Sequence, residues 1–265
     1  PDPTPIQYDI ADYIQNGPKR RCVMAFRGVG KSWITSAFVC HQLLLDPTKN
    51  ILVVSASKQR ADDFSTFTLR LISEMEILNH LKPNETQRNS KIAFDVGPAP
   101  ASHAPSVTSK GITSQITGAR ADLIIADDVE SLNNSATQMM RDKLGSAVQE
   151  FDAVLKPDGH VIYLGTPQSE QSLYNELPDR GYDVKIWPAR KPTEKQVVGY
   201  GTRLAPKIVT MDLEEGEPTD PKRFNTFDLM EREASYGRSG FALQFMLDTS
   251  LSDADRYPLK LSDLI

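Results

Sequence analysis

Ala25-Phe26-Arg27-Gly28-Val29-Gly30-Lys31-Ser32 follows a short apolar run, Cys22–Phe26, and opens a stretch, Lys31–Leu45, with helical length and periodicity. Strand, glycine-rich turn and helix in that order are the context a phosphate-binding loop requires. Amides at the start of a helix point at an anion, and the helix dipole favours its charge. Gly28 and Gly30, flanking Val29, let the backbone approach phosphate oxygens with no Cβ in the way. Lys31 has the reach and charge for β- and γ-phosphates, and the Ser32 hydroxyl suits Mg²⁺. The pattern departs from the general one at its first position, which is Ala25 instead of glycine.

Working outward, Ile51–Ser55, Leu123–Ala126 and Val161–Gly165 are apolar runs without alternation, as expected of strands buried on both faces. Lys91–Val96 and Asp183–Trp187 alternate and read as edge strands. Helical spacing marks Arg60–Asn79, through Phe64, Phe67, Leu71, Met75 and Leu78, and also Asn134–Leu155. Alternating strands and helices predict an α/β fold with a mainly parallel sheet. Gly97–Ser109, with prolines at 98, 100 and 105, reads as a loop. Beyond Trp187 prolines recur at 188, 192, 206, 218 and 221, so a boundary is expected near Ala189. The expectation is a core over 1–189 and a small, mostly helical lid over 190–265 that ends in Phe227–Phe245.

The run Leu123–Ala126 ends in Asp127-Asp128-Val129-Glu130. A carboxylate at such a strand end can hold Mg²⁺, and a second can orient or deprotonate an attacking water. Asp127 is the metal-side residue by position. Asp128 is favoured for the water, with Glu130 the longer-reaching alternative.

Bulk properties are those of an ordinary globular chain: 265 residues, 39% hydrophobic, 25% charged. No apolar run is long enough to cross a bilayer, and the opening Pro1-Asp2-Pro3-Thr4-Pro5 has no signal-peptide character. Cys22 and Cys40 are too few for a disulfide framework and are expected as buried thiols in a reducing compartment. A net charge of −5 argues against a surface that is basic throughout, while leaving room for a local DNA contact. His103 has no neighbouring His or Cys with which to bind metal, and Lys19-Arg20-Arg21 reads as a solvated turn.

Further residues join these motifs. Gln7 lies upstream of the first strand, Arg27 lies inside the loop, and Gly165-Thr166-Pro167 ends the strand after the acidic one. Together with Ile125-Ala126-Asp127-Asp128-Val129-Glu130 they resemble the large terminase subunit of tailed double-stranded DNA phages, especially the short-tailed kind, from about Pro5 to Gln244. The resemblance implies a RecA-like ATPase that hydrolyses Mg-ATP to drive double-stranded DNA into a procapsid. Gln7 would read adenine, Arg27 would sense or stabilise the γ-phosphate, and Thr166 would report nucleotide state to the rest of the motor. Arg120, in Thr117-Gly118-Ala119-Arg120, is either an arginine offered to a neighbouring subunit's ATP or a partner in an intramolecular salt bridge. Implied partners are the portal protein, the small terminase subunit, DNA and sibling copies in a ring, in the host cell cytoplasm and transiently at the portal. Large terminase subunits also carry a nuclease domain; no later acidic cluster of that kind precedes Ile265, so nuclease activity is expected to be absent from this chain. The rival readings are a helicase-type translocase and a nucleotide-binding switch without turnover.

Overall fold

The computed structural model describes residues 2–250. Helix α1 spans Pro5–Asn16, β1 Arg20–Ala25, α2 Lys31–Leu45, β2 Ile51–Ser55 and α3 Lys58–Glu74. There follow β3 at Ala93–Phe94, β4 at Val107–Gly111, β5 at Ala121–Asp127, α4 at Leu132–Ser135, α5 at Gln138–Val154 and β6 at Leu155–Gly165. Helix α6 covers Leu173–Glu176, β7 Asp183–Trp187, α7 Glu194–Tyr200, α8 Pro206–Thr210 and α9 Thr226–Phe241. The strands form one seven-stranded sheet in the order β3-β4-β2-β5-β6-β1-β7. Strand β2 runs parallel to both β4 and β5, β5 runs parallel to β6, and the short β3 is antiparallel to β4. This is the mainly parallel α/β architecture that the sequence predicts.

The buried runs Cys22–Ala25, Ile51–Val54, Leu123–Ala126 and Val161–Leu164 are its spine. β2 and α2 have their predicted bounds, and β3 and β7 occupy the two edges. The alternating segment at Lys91–Val96 pairs over only Ala93–Phe94. The end of the proline-rich stretch is not loop. Val107–Gly111 is a strand in register with Ile51–Ser55, and its buried Val107, Ser109 and Gly111 alternate with Thr108 and Lys110. The three prolines conceal that alternation. The helix foreseen over Arg60–Asn79 stops at Glu74 and gives way to a 3₁₀ turn over Glu76–Leu81. The segment Asn134–Leu155 is two helices, each with its own capping residue, Ser131 and Thr137.

The basic triplet is another correction. Arg20 and Arg21 belong to β1, and Arg21 is fully buried. Its guanidinium donates to the carbonyls of Pro18 at 2.6 Å, Gly17 at 3.4 Å and Ile14, and meets Nδ1 of His160 at 3.1 Å. Three basic residues in a row look solvated in sequence. Here the middle of the run enters a buried strand, and the third satisfies the carbonyls that the end of α1 leaves open. Burial lowers the Arg21 pKa to about 10. Both cysteines are buried thiols outside any disulfide, and burial pushes the Cys40 thiol up to about 12.

By its contacts the chain resolves into two compact units. One comprises Pro1–Asp9, Cys22–Val29 and Gly165–Ile265; the other comprises Ile10–Arg21 and Gly30–Leu164. The first owes its core to Ile6, Trp187, Ile208, Leu229, Phe241 and Phe245, so the segment after Ala189 packs into the same unit as the start of the phosphate loop. Of the stretch 190–265, residues 251–265 lie outside the described part.

Candidate active site

The loop after β1 is built on two left-handed glycines. Gly28 has φ 90° and Gly30 has φ 95°, values that cost an L side chain strain. At Gly28 a Cβ would also come within 2.7 Å of the Phe224 ring. Gly30 caps α2 without a side-chain hydrogen bond to the first amides, and such amides are the donors an anion can use.

In the larger unit, Lys31 and Ser32 form the first turn of α2, and Asp127 ends β5. The Ser32 hydroxyl donates to Asp127, with Oγ 3.2 Å from Oδ2 and 3.5 Å from Oδ1. Burial and the adjacent Asp128 push the Asp127 carboxyl up to about 7, against the opposing charges of Lys31 and Arg60. A hydroxyl and a buried carboxylate crowded by a second acid are hard oxygen donors that suit Mg²⁺, and a cation there would relieve the repulsion. The donor set therefore fits the metal.

Asp128 adopts φ 45°, a rare conformation for a side chain other than glycine. Its amide donates to the Leu164 carbonyl at 2.8 Å, and its own carbonyl accepts from Ala56 at 3.3 Å. The left-handed bend turns the chain out of β5 directly after Asp127 and leaves Asp128 half-buried. Glu130, at 2% exposure, is held inside. Arg120 is exposed, and its Nη1 donates to the carbonyls of Ala119 at 3.2 Å and Ala153 at 3.3 Å; among the described residues no salt bridge involves it. His103 is exposed, and no cluster of metal-binding side chains occurs among the described residues.

In the other unit, Gln7 is placed by a capping box at the start of α1. The amide of Gln7 donates to Thr4 Oγ1 at 3.3 Å, and Gln7 Oε1 accepts from the Thr4 amide at 3.0 Å. Gln7 Nε2 then donates to the Val29 carbonyl at 2.8 Å, tying this residue to the phosphate loop. Thr166 is buried directly after β6, and Gln168 Nε2 donates to its carbonyl at 3.0 Å.

Sequence reading missed three side chains that grip the loop from far along the chain. Arg223 Nε donates to the Gly28 carbonyl at 2.7 Å, and Phe224 packs edge-on to Phe26 under the Arg232 guanidinium. Gln244 Oε1 accepts from Arg27 Nη1 at 3.3 Å. Nothing local in Phe224 or Gln244 announces a contact with residues some 200 positions earlier. The Thr4-Pro5-Ile6-Gln7 box, by contrast, was readable.

Comparison with known proteins bears on this arrangement. A family model described as "Terminase large subunit, T4likevirus-type, N-terminal" matches residues 22–172. The large terminase subunit of Enterobacteria phage T3 is 53% identical over 275 residues, covering 100% of this chain and 47% of that protein. The chain thus spans about half the length of that relative. Among solved structures, the large terminase ATPase domain of Thermus phage P74-26 superposes with a TM-score of 0.53 at 15% identity, covering 94% of each chain. A mutant of the same domain gives 0.54 at 16% identity, over 93% of this chain and 94% of that one. At such identities these two structures speak for the fold alone.

Proposed function

The chain belongs to the family of phage terminase large subunits, N-terminal part, and from that membership we propose that it hydrolyses Mg-ATP to power translocation of double-stranded DNA into a procapsid. The observation that carries the reading is the meeting of Ser32 with the buried Asp127 at the start of α2, next to Lys31 in a helix whose N-cap Gly30 makes no side-chain cap bond. Lys31 holds the β- and γ-phosphates, with the Gly28, Val29, Gly30 and Lys31 amides as the cradle. Ser32 and Asp127 are the residues that hold Mg²⁺, which when bound supplies positive charge to the phosphate oxygens. Asp128 orients and deprotonates the attacking water; Glu130 is the alternative.

Gln7 fits adenine by counting. With Oε1 used once and Nε2 used once, one acceptor lone pair and one N–H remain, the complement of the adenine N6 and N7 edge. Arg27 takes the γ-phosphate and Thr166 reports its presence. Arg120, exposed and held among the described residues by the Ala119 and Ala153 carbonyls, can be presented to the ATP of a sibling copy in a ring. The portal protein, the small terminase subunit and DNA are the partners this reading carries, and the host cytoplasm is where it places them. Among the described residues no helix is long and apolar enough to cross a membrane.

The test is steady-state ATP hydrolysis against protein concentration for the wild type, Lys31→Ala and Arg120→Ala. Specific activity should climb with concentration and both variants should lose it, Arg120→Ala by about a thousandfold. Equal silence of wild type and Lys31→Ala at every concentration, with Mg-ATP still bound, would sink the claim of turnover by this chain.

A further inference from the structure

Arg27 is exposed, and among the described residues it enters no salt bridge. Its guanidinium instead rests on a neutral acceptor, the Gln244 side-chain carbonyl at 3.3 Å. The main chains of the same two residues are joined as well, the Arg27 amide donating to the Gln244 carbonyl at 2.9 Å. The other end of the Gln244 side chain is also engaged, with Nε2 donating to the Pro167 carbonyl at 3.3 Å. One amide therefore links the loop arginine to the Gly165-Thr166-Pro167 strand end. Gln244 lies in the π-helical turn Ala242–Met246, whose neighbouring Phe245 carbonyl accepts from Ala189 at 2.8 Å and whose Met246 carbonyl accepts from the Tyr200 hydroxyl at 2.6 Å.

A hydrogen bond from guanidinium to a neutral amide lacks the charge–charge attraction and the bidentate geometry that a carboxylate or phosphate offers. An acceptor of that strength keeps the arginine at the loop and yields it when a phosphate oxygen arrives. A carboxylate in the same place would hold it more tightly and so compete with the phosphate.

We propose that Gln244 is the positioning residue for Arg27. It parks the guanidinium beside the phosphate loop, hands it to the γ-phosphate when ATP binds, and through its second hydrogen bond makes that exchange felt at Pro167. The proposal rests on the reading of Arg27 as a γ-phosphate contact. It assigns to one uncharged side chain, more than 200 residues downstream, the balance between the parked and engaged states.

The experiment is a double-mutant cycle read as ATP-against-ADP discrimination, so that turnover is not needed. Affinities for Mg-ADP and for a non-hydrolysable Mg-ATP analogue are measured by calorimetry for wild type, Gln244→Glu, Gln244→Ala, Arg27→Ala and the Arg27→Ala/Gln244→Glu pair. Gln244→Glu should cost the analogue roughly fivefold, the strength of an exposed ion pair, and leave ADP within about twofold. Gln244→Ala should keep the preference for the analogue, which also shows that the turn folds without the amide. In the Arg27→Ala background the glutamate should change nothing further. A loss of the same size with and without Arg27 would overturn the proposal, since the glutamate would then be repelling phosphate directly. So would an undiminished preference in Gln244→Glu. If Arg27→Ala itself keeps the full preference for the analogue, the γ-phosphate reading of Arg27 fails, and the proposal falls with its premise.

Discussion

At the scale of single residues, the acidic cluster after β5 separates into three environments that the sequence leaves equivalent. Asp127 is buried against Ser32, Asp128 stands half-buried at φ 45°, and Glu130 is enclosed. Asparagine tolerates a left-handed conformation better than most side chains. Asp128→Asn should therefore keep its stability within about 0.5 kcal/mol while turnover falls by about 10²- to 10⁴-fold. Glu130→Gln should instead be felt in thermal unfolding, because it alters a buried, partnered group. Urea midpoints and single-turnover hydrolysis on the two variants decide the assignment, and a full rate in Asp128→Asn would pass the role to Glu130. His160 makes a second residue-scale prediction. Burial lowers its pKa below the ordinary value, and the charges of Arg21, Lys19 and Lys49 push the same way. The unfolded chain then takes up the proton first, near pH 6.5, so this residue's contribution is complete above about pH 6.5 and is lost as pH falls through the lower folded value. The urea midpoint should drop on acidification below about pH 6.5, and His160→Asn should remove that part of the slope. An identical slope in the variant would refute it.

At the scale of elements, legibility followed burial. Strands buried on both faces announce themselves as unbroken apolar runs, as β2 does, and the alternation of β7 marks an edge; both were readable to the residue. Strand β4 was hidden because three prolines sit just before it and its buried face is made of Val107, Ser109 and Gly111, only one of them large and apolar. Helix α1 was overlooked, although Ile6, Ile10 and Ile14 recur every fourth residue and are all fully buried. Its far end shows why Arg21 could not be read: a buried guanidinium that closes a helix carries no local pattern. Removing that guanidinium leaves the Ile14, Gly17 and Pro18 carbonyls short of a donor, and each unsatisfied buried acceptor costs about 1–3 kcal/mol. Arg21→Met, which keeps much of the packing volume, should lower unfolding stability by about 2 kcal/mol or more. The loss should appear in hydrogen exchange as earlier opening of α1. A variant as stable as the wild type would show that water reaches those carbonyls.

At the scale of the whole molecule, the order of residues along the chain differs from the order in which they pack. The path enters the smaller unit at Pro1–Asp9, returns to it for Cys22–Val29 and returns again from Gly165 onward. A cut at the proline-rich stretch near Ala189, where the sequence suggests a boundary, would fall inside that unit. It would remove Leu204, Ile208, Leu229, Phe241 and Phe245, each buried, along with Arg223 and Gln244, which hold Gly28 and Arg27. Each such apolar side chain contributes about 1.5–3 kcal/mol, so five together rival the entire 5–15 kcal/mol stability of a typical domain. A chain ending at Ala189 should therefore lose the first half of its phosphate loop as an ordered structure while keeping Lys31, Ser32 and Asp127 in sequence. The expected outcome is loss of Mg-ATP binding in calorimetry and loss of amide protection over 22–29, compared with the 265-residue chain. A truncated chain that bound Mg-ATP with undiminished affinity would mean that the segment after Ala189 is a true appendage. The grip of Arg223, Phe224 and Gln244 on the loop would then be incidental to nucleotide binding.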